Sequence, residues 1–413
     1  MAAGSSVTRE EPVTARDVDG AARRISDLVR ETPILSAGEI SRRVGAEVTL
    51  KAESLQRTGS FKLRGAANKL SLLGRAELAA GVVAASAGNH AQAVAVAARR
   101  RGAEADLFIP VGAPLAKVAA VRSYGGTVRL IDGSYDEANE AARRFADEEG
   151  KTLIPPFDDP AVVAGGGTVG LEIARQAPRT RLVVVPLGGG GLAAGVAVAV
   201  KWLLPDVRVV GVQAEACAPY LASLARHRPI GARSANTICD GIAVKRPGEL
   251  TLPLVERWVD DVVTVSDDEV AQAMVLLLER TKLVVEGAGA VSVAALLAGK
   301  VEPASGGQTC AILSGGNVDA SRLVDCIRLG ETAAERRLAV ATVIPDRPGA
   351  LAGLLRIVAE QGANVIDVVH IREGVDIHVG ETAVRLVLQT KGGEHSTRIT
   401  EAIEAEGFAT RPG

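Results

Sequence analysis

Aromatic residues are scarce in this sequence. Phe, Tyr and Trp together make up 2% of the 413 residues, whereas hydrophobic residues make up 47%. A core of this chain must therefore be built mainly from Ala, Val, Leu and Ile, and the hydrophobic content is ample for a large one. The length is typical of roughly two or three domains.

A charge excess and a membrane or export signal are also lacking. The formal net charge is −2, which argues against a nucleic-acid-binding or membrane-surface protein. No uninterrupted apolar run is long enough to span a bilayer. No charged leader is followed by an apolar run, as it would be in a secretory signal. Residues 1–12 are small, polar and charged, and we expect them to be disordered.

Cysteines are few and show no pattern. The chain has four of them and neither a CxxC pair nor zinc-ligand spacing. We therefore expect reduced, mostly buried thiols in a cytoplasmic protein. The four residues are Cys217, Cys239, Cys310 and Cys326.

Alternating strand and helix patterns fill most of the chain. This alternation predicts an α/β fold with parallel sheets wrapped by helices. The predicted strands are 47–53, 82–85, 106–109, 127–131, 181–187, 207–212 and 309–313. The predicted helices begin near 16, 62, 89, 115, 135, 192, 266 and 288. A polar stretch, 328–337, is taken as the domain boundary, after which a β-α-β-β-α order with a short final strand at 408–410 is predicted.

Four consecutive glycines, Gly188–Gly191, lie between a predicted buried strand and a predicted helix. Backbone N–H groups without side chains around them can close on an anion, and a helix N-terminus adds partial positive charge. A tight turn needs only one or two glycines, so four favour a phosphate-binding loop. The stretch matches neither the P-loop nor the dinucleotide-binding pattern, which makes a nucleotide the weaker interpretation.

Lys62 lies in the stretch Thr58–Ala66, which reads TGSFKLRGA. It is either an exposed lysine at the start of an amphipathic helix or a lysine that forms a Schiff base with a flat cofactor. Burial would lower its pKa and make the amine a nucleophile. On these residues alone both interpretations stay open.

Four motifs occur in a fixed order: the Lys62 stretch, Ser86-Ala87-Gly88-Asn89-His90, the glycine loop with Leu192, and Ser314-Gly315-Gly316-Asn317. With them the chain resembles the threonine ammonia-lyases (threonine dehydratases) of the tryptophan-synthase-β-like class of pyridoxal-phosphate (PLP) enzymes. The resemblance covers about 13–330 and implies a two-lobed fold whose smaller lobe, about 53–157, is inserted in the larger. Residues 331–413 resemble a small ferredoxin-like α+β domain of the ACT type.

The resemblance also implies residue roles. Lys62 would hold PLP and then act as the base at the substrate Cα. The cofactor would further be bound by Phe61, Asn89, Gly188, Gly189, Gly190, Gly191, Leu192 and Ser314. The substrate carboxylate would be bound by Ser86, Gly88, Asn89 and His90. Residues placed near the cofactor by the resemblance are Asp240, Gly241 and Glu286.

Ser314 bears on the type of reaction. A carboxylate facing the pyridine nitrogen would keep that nitrogen protonated and make the ring a strong electron sink, as in transaminases. A neutral hydroxyl there favours β-elimination instead. The expected reaction converts L-threonine to 2-oxobutanoate and ammonia, and L-serine to pyruvate, either in isoleucine biosynthesis or in threonine catabolism. Related serine racemases carry a second serine where this chain has Ala87, so we expect weak racemase activity.

Other functions of the same fold stay open. They are a serine ammonia-lyase, another hydroxy-amino-acid lyase or racemase, and, with less support because Lys62 is intact, a non-catalytic amino-acid sensor. Glu215 resembles a carboxylate that helps to bind a structural cation, for which a monovalent ion is the candidate. On the sequence alone it is equally an ordinary surface glutamate.

The C-terminal domain carries a second set of expectations. The resemblance implies that isoleucine or valine binds there and that subunits pair into a homodimer or homotetramer. The expected effector residues are Asp346, Pro348, Gly349 and Leu351.

Overall fold

The computed structural model describes residues 11–86, 88–372 and 377–412. The chain divides into two compact units, Met1–Arg322 and Leu323–Gly413. Most of the segment expected to be disordered, and Ala87, lie outside the described residues.

Two sheets form the framework of the first unit. The larger has six strands in the order β1-β2-β10-β7-β8-β9, and the smaller has four in the order β5-β4-β3-β6. All neighbouring pairs are parallel except β1 with β2. The strands are β1 Ile34–Ser36, β2 Val48–Ala52, β3 Val82–Ala85, β4 Ala105–Pro110, β5 Thr127–Ile131, β6 Thr152–Leu153, β7 Thr180–Pro186, β8 Arg208–Ala214, β9 Asp261–Val265 and β10 Gln308–Leu313.

Helices accompany these strands, so the predicted α/β class with parallel sheets is confirmed. They are α1 Ala15–Ile25, α2 Gly38–Val44, α3 Lys62–Ser71, α4 Arg75–Ala80, α5 Asn89–Arg101, α6 Leu115–Ser123, α7 Tyr135–Glu149, α8 Pro160–Gln176, α9 Gly191–Leu203, α10 Pro219–Ala225, α11 Thr251–Trp258, α12 Asp267–Thr281 and α13 Gly287–Leu297. The smaller sheet is formed between residues 82 and 153, and strands of the larger sheet precede and follow it in the chain.

Helix α8 was not predicted, because its sequence contains three consecutive glycines and glycine disfavours helix interiors. The structure explains them by close packing against α3 and α9. A Cβ atom on Gly165 would lie 2.4 Å from the carbonyl oxygen of Arg64, and one on Gly167 would lie 2.7 Å from that of Gly195. Only glycine lets the three helices approach this closely.

The second unit contains one antiparallel sheet of four strands in the order β12-β13-β11-β14. Its element order is β-α-β-β-α-β, with its last strand two residues beyond the predicted one. Residues 328–333, taken from composition as part of the boundary, lie in α14, ahead of the first strand. The elements are α14 Ala320–Ala333, which starts in the first unit, then β11 Arg337–Pro345, α15 Ala350–Glu360, β12 Asn364–Ile371, β13 Glu381–Gln389, α16 Gly393–Ala405 and β14 Thr410–Pro412.

A cluster of four charged side chains lies in the interior of the first unit. Arg64 of α3 is fully buried between two carboxylates, with Nε 2.8 Å from Glu53 and Nη1 2.6 Å from Glu172 of α8. Lys51 of β2 is also fully buried and pairs with Glu172 at 2.5 Å. Burial opposes the charge on Glu53, but the Arg64 guanidinium outweighs it and holds the pKa of that carboxyl below its usual range. Two cations and two anions thus join β2, α3 and α8.

Arg64→Met should destabilise the protein, because it leaves the carboxylates of Glu53 and Glu172 buried with one cation between them. Breaking a buried ion pair from one side costs about 3–5 kcal/mol. Urea unfolding measures the loss. The control is Arg100→Met, since Arg100 pairs with Asp27 where both side chains are more than half exposed, and such pairs contribute about 0–1 kcal/mol. An equal loss in the free energy of unfolding in the two variants would contradict the assignment of the cluster as a stabilising element.

Candidate active site

One cavity of about 600 Å³ lies at the carboxyl ends of strands from both sheets, where open parallel sheets place their ligand sites. It brings together residues from all four sequence motifs. Glu215 does not line it, and Asp346, Pro348, Gly349 and Leu351 belong to the second unit. The predicted residues that line the cavity are Phe61, Lys62, Ser86, Gly88, Asn89, His90, Gly188, Gly189, Gly190, Gly191, Leu192, Asp240, Gly241, Glu286 and Ser314.

Lys62 is the first residue of α3, and its side chain enters this cavity. Its Nζ donates a hydrogen bond to the carbonyl oxygen of Pro156 at 2.9 Å and lies 5.1 Å from the centre of the Phe61 ring. Burial lowers the pKa of Lys62 to about 8, while the nearby charge of Glu286 acts in the opposite direction. A much larger fraction of this amine is therefore neutral near pH 8 than of an exposed lysine.

The Lys62 and Ser314 loops are held side by side by backbone hydrogen bonds. The N–H of Phe61 donates to the Ser314 carbonyl oxygen at 3.0 Å, and the N–H of Gly316 donates to that of Gly59 at 2.8 Å. Ser60 and Gly315 form an isolated antiparallel bridge between them. Because β10 leads directly into the Ser314 loop, the larger sheet determines where Lys62 starts its helix.

The glycine loop presents unpaired donors. The N–H groups of Gly188, Gly189 and Gly190 donate no hydrogen bond to any other described residue. The Gly189 carbonyl is turned away from them and accepts from Thr251 Oγ1 at 2.7 Å and Tyr220 Oη at 3.2 Å. Gly190 has a φ of +94°, and a Cβ there would lie 2.0 Å from the Tyr220 hydroxyl. Three orphan amides followed by the N-terminus of α9 fit a phosphate group.

The Asn89 side chain is fixed by a chain of hydrogen bonds. Its Nδ2 donates to Glu286 Oε1 at 2.7 Å, and its Oδ1 accepts from Asn317 Nδ2 at 2.7 Å. Asn317 also donates to the Thr58 carbonyl at 2.8 Å. Asn317 ends the fourth motif, but sequence reasoning gave it no role. Its position after two glycines was the signal available.

Glu286 supplies the carboxyl group in the chain of hydrogen bonds that fixes Asn89. Burial raises the pKa of Glu286 to about 7, against the opposing effects of the Lys117 charge and of the hydrogen bond from Asn89. Near neutral pH the group can therefore hold or release a proton.

His90 is a buried neutral side chain. Its Nε2 lies 2.8 Å from the Ile154 carbonyl oxygen; because a carbonyl can only accept, Nε2 carries the proton. Burial, followed by the charge of Lys62, lowers the pKa of His90 to about 3, so the ring is uncharged at neutral pH. The Nε2 donor is thus used inside the protein. The donor that His90 can offer an anion is its backbone N–H in the first turn of α5.

The remaining predicted residues lie around the same space. Ser314 is 3% exposed, and its hydroxyl donates to the Ala288 carbonyl only at 3.4 Å, so it is free to turn to a better acceptor. Ser86 Oγ accepts from the Gly88 N–H at 3.1 Å. A Cβ on Gly241 would lie 2.9 Å from that of Ala288.

Within residues 11–86, 88–372 and 377–412, no group of three or more His, Cys, Asp and Glu side chains could hold a metal ion. Glu215 is exposed, and the monovalent cation assigned to it stays a prediction. The four cysteines are buried and form no disulfide. No helix in the described part of the chain is long and apolar enough to cross a bilayer.

Comparison with known proteins agrees with this arrangement. The family model described as pyridoxal-phosphate dependent enzyme matches residues 25–315. An L-threonine ammonia-lyase from Thermotoga maritima is 44% identical over 97% of this chain and 99% of its own.

Two solved structures are also similar. A T.th. threonine deaminase has a TM-score of 0.70 and 40% identity, covering 74% of this chain and 99% of its own. A maize serine racemase has a TM-score of 0.73 and 36% identity, covering 76% and 97%.

Proposed function

The chain belongs to the pyridoxal-phosphate dependent enzyme family, and we propose that it is an L-threonine ammonia-lyase that produces 2-oxobutanoate and ammonia. One observation carries the proposal. A partly buried lysine of lowered pKa, a glycine loop with orphan amides and a neutral serine line one cavity. Relatives named for this activity match almost the whole chain.

The residues present fit the cofactor. Lys62 would bind its aldehyde carbon, the glycine loop with Leu192 its phosphate, and Ser314 its ring nitrogen, with Phe61 beside the ring. Asn89, whose amide is fixed by Glu286 and Asn317, would bond the ring hydroxyl. When bound, PLP withdraws electrons from the substrate Cα and so makes its C–H bond acidic.

Lys62 is the base in this proposal. With a pKa of about 8, its amine is neutral often enough at physiological pH to take the Cα proton, and the Pro156 carbonyl accepts a hydrogen bond from the resulting ammonium. The Cα–H and Cβ–O bonds break, and the proton that Lys62 has taken from Cα would leave with the hydroxide as water. The released enamine becomes an imine when its Cβ takes up a proton; water then adds to the imine and ammonia departs. General base catalysis of this kind contributes about 10²–10⁴-fold to the rate.

Ser314 directs the outcome. Its hydroxyl carries no charge, so it does not hold a proton on the ring nitrogen as a carboxylate would. A less strongly withdrawing ring favours loss of the β-hydroxyl over transamination, as the sequence predicts. L-serine, which lacks only the methyl group of threonine, would be a second substrate. The similarity to a serine racemase makes racemisation the alternative. Ala87 in the sequence argues against it, because related serine racemases carry a serine at this position.

Release of 2-oxobutanoate from L-threonine by the PLP-loaded protein tests the proposal. Lys62→Ala should lower turnover at least about 100-fold, because it removes the base. Lys69→Ala is the control, since Lys69 lies on the same helix, pairs with Asp159 and does not line the cavity; it should retain most of the activity.

Two results would overturn the proposed function. A Lys62→Ala variant as active as wild type would exclude the mechanism. A wild-type protein that binds PLP but releases no 2-oxobutanoate would exclude threonine and direct the search to L-serine and hydroxyaspartate.

For the second unit we propose a ferredoxin-like regulatory domain of the ACT type that binds isoleucine or valine. The β-α-β-β-α-β order and antiparallel sheet support it. In the motif, Asp346 pairs with both terminal nitrogens of Arg372 at 2.6 and 3.0 Å, and Gly349, with a φ of +89°, precedes α15. Units of this type commonly pair across subunits, so we expect a homodimer or homotetramer, located in the cytoplasm.

Calorimetric titration of the full-length protein with isoleucine and valine tests the effector site. Asp346→Ala should weaken binding at least about tenfold and leave uninhibited turnover unchanged, because this exposed pair contributes little to folding. Asp367→Ala, an exposed residue of β12 outside the motif, is the control. Unchanged affinity in Asp346→Ala, or no binding of either amino acid by wild type, would contradict the assignment.

A further inference from the structure

A second group of charges lies at the mouth of the cavity. The Lys117 ammonium of α6 is 3.4 Å from Asp240 Oδ2 and 3.6 Å from Asp319 Oδ2. Its side chain is only 14% exposed. Helix α6 connects two strands of the smaller sheet, whereas Asp319 follows the Ser314 loop of the larger one and Asp240 begins a short 3-10 helix, Asp240–Ile242. These ion pairs therefore connect the elements of the two sheets.

The aliphatic part of Lys117 lies against the loop expected to bind the substrate carboxylate. A Cβ built on Gly88 would be 3.7 Å from Lys117 Cδ, an ordinary packing distance. The charge of Lys117 also lowers the pKa of Glu286, the hydrogen-bond partner of Asn89, more than any other charge does. Lys117 thus packs beside the loop backbone at Gly88, and its charge acts on the carboxyl group that accepts a hydrogen bond from Asn89.

Helix α6 buries few apolar side chains. It buries only Val118 and Val121, and Leu115 at its start is 85% exposed. Helices with few buried apolar contacts are those that open at low free energy. Another pair between the two sheets' elements, Lys245 with Asp136, has both side chains more than half exposed and contributes little. Asp240 is 68% exposed, whereas the Lys117 and Asp319 side chains are only 14% and 23% exposed. Because the Lys117–Asp319 pair is better shielded from water, it is the stronger connection.

We propose that Lys117 is a positioning residue that holds α6 across the mouth of the active site and fixes the Ser86–His90 loop. Its part in the reaction rests on the proposed function, whereas its bridging of the two sheets does not. Without it, α6 moves away from Asp319, water enters, and the loop that binds the substrate carboxylate loses its support. Substrate binding should then weaken more than the chemical step slows.

Steady-state kinetics of the PLP-loaded protein with L-threonine provide the first test. Lys117→Ala should raise KM about tenfold and lower kcat by a smaller factor, and Lys117→Arg should recover most of the loss because it keeps the charge. Asp319→Asn, which removes the charge from the other side of the mouth, should shift KM in the same direction. The matched control is Lys201→Ala. Lys201 is 16% exposed and pairs with Asp260 at 2.7 Å, but does not line the cavity; its kinetics should stay within about twofold of wild type.

Hydrogen–deuterium exchange of the same holoenzymes provides a readout that does not depend on turnover. Amides of α6 and of residues 88–92 should exchange about tenfold faster in Lys117→Ala, and at the wild-type rate in Lys201→Ala. Lys117→Ala with wild-type KM, or with unchanged exchange in α6, would overturn the proposal. If wild type releases no 2-oxobutanoate, the proposed function fails, and exchange alone still decides the role of Lys117.

Discussion

The buried ion cluster of Lys51, Glu53, Arg64 and Glu172 is the interaction on which the position of the active site depends. Each charge is buried, and each is stable only because the others surround it. Because its members come from β2, the 3-10 turn that follows it, α3 and α8, these elements have one arrangement in which all four charges are paired. Lys62 begins the helix that carries Arg64, two residues later. The cluster therefore fixes the orientation of the helix that delivers the reactive amine.

Small residues make this arrangement possible. The scarcity of aromatic side chains leaves a core of Ala, Val, Leu and Gly, in which helices approach until backbone atoms touch. Gly165 meets the backbone of Arg64, and Gly167 meets that of Gly195 on α9, the helix that follows the phosphate loop. Helix α8 thus packs against both the lysine helix and the glycine-loop helix. Any side chain larger than hydrogen at these positions would separate the two halves of the site.

Much of this could be predicted from the sequence. Apolar strands, helix periodicity and the four motifs depend on local pattern, and parallel strands bring their carboxyl ends to one edge, so residues as distant as Lys62 and Ser314 line one cavity. The rest depends on tertiary contacts. Lys51 and Arg64 are of residue types that usually lie at the surface. They are buried here only because they form ion pairs with Glu53 and Glu172. Helix α8 was missed because its glycines lower helix propensity while serving packing. The partners of Asn89 and of the His90 ring come from Asn317 and Ile154, which no local pattern connects to them.

Above all, folding should deliver Lys62 and no other lysine to the cofactor. Lys51, Lys69 and Lys117 lie nearby in sequence or space, but their ammonium groups are paired with carboxylates. Reducing the PLP-loaded protein with borohydride, digesting it and locating the pyridoxyl group by mass spectrometry tests this directly. We expect the group on Lys62 alone. A pyridoxyl group on any other lysine, or none on Lys62, would contradict it.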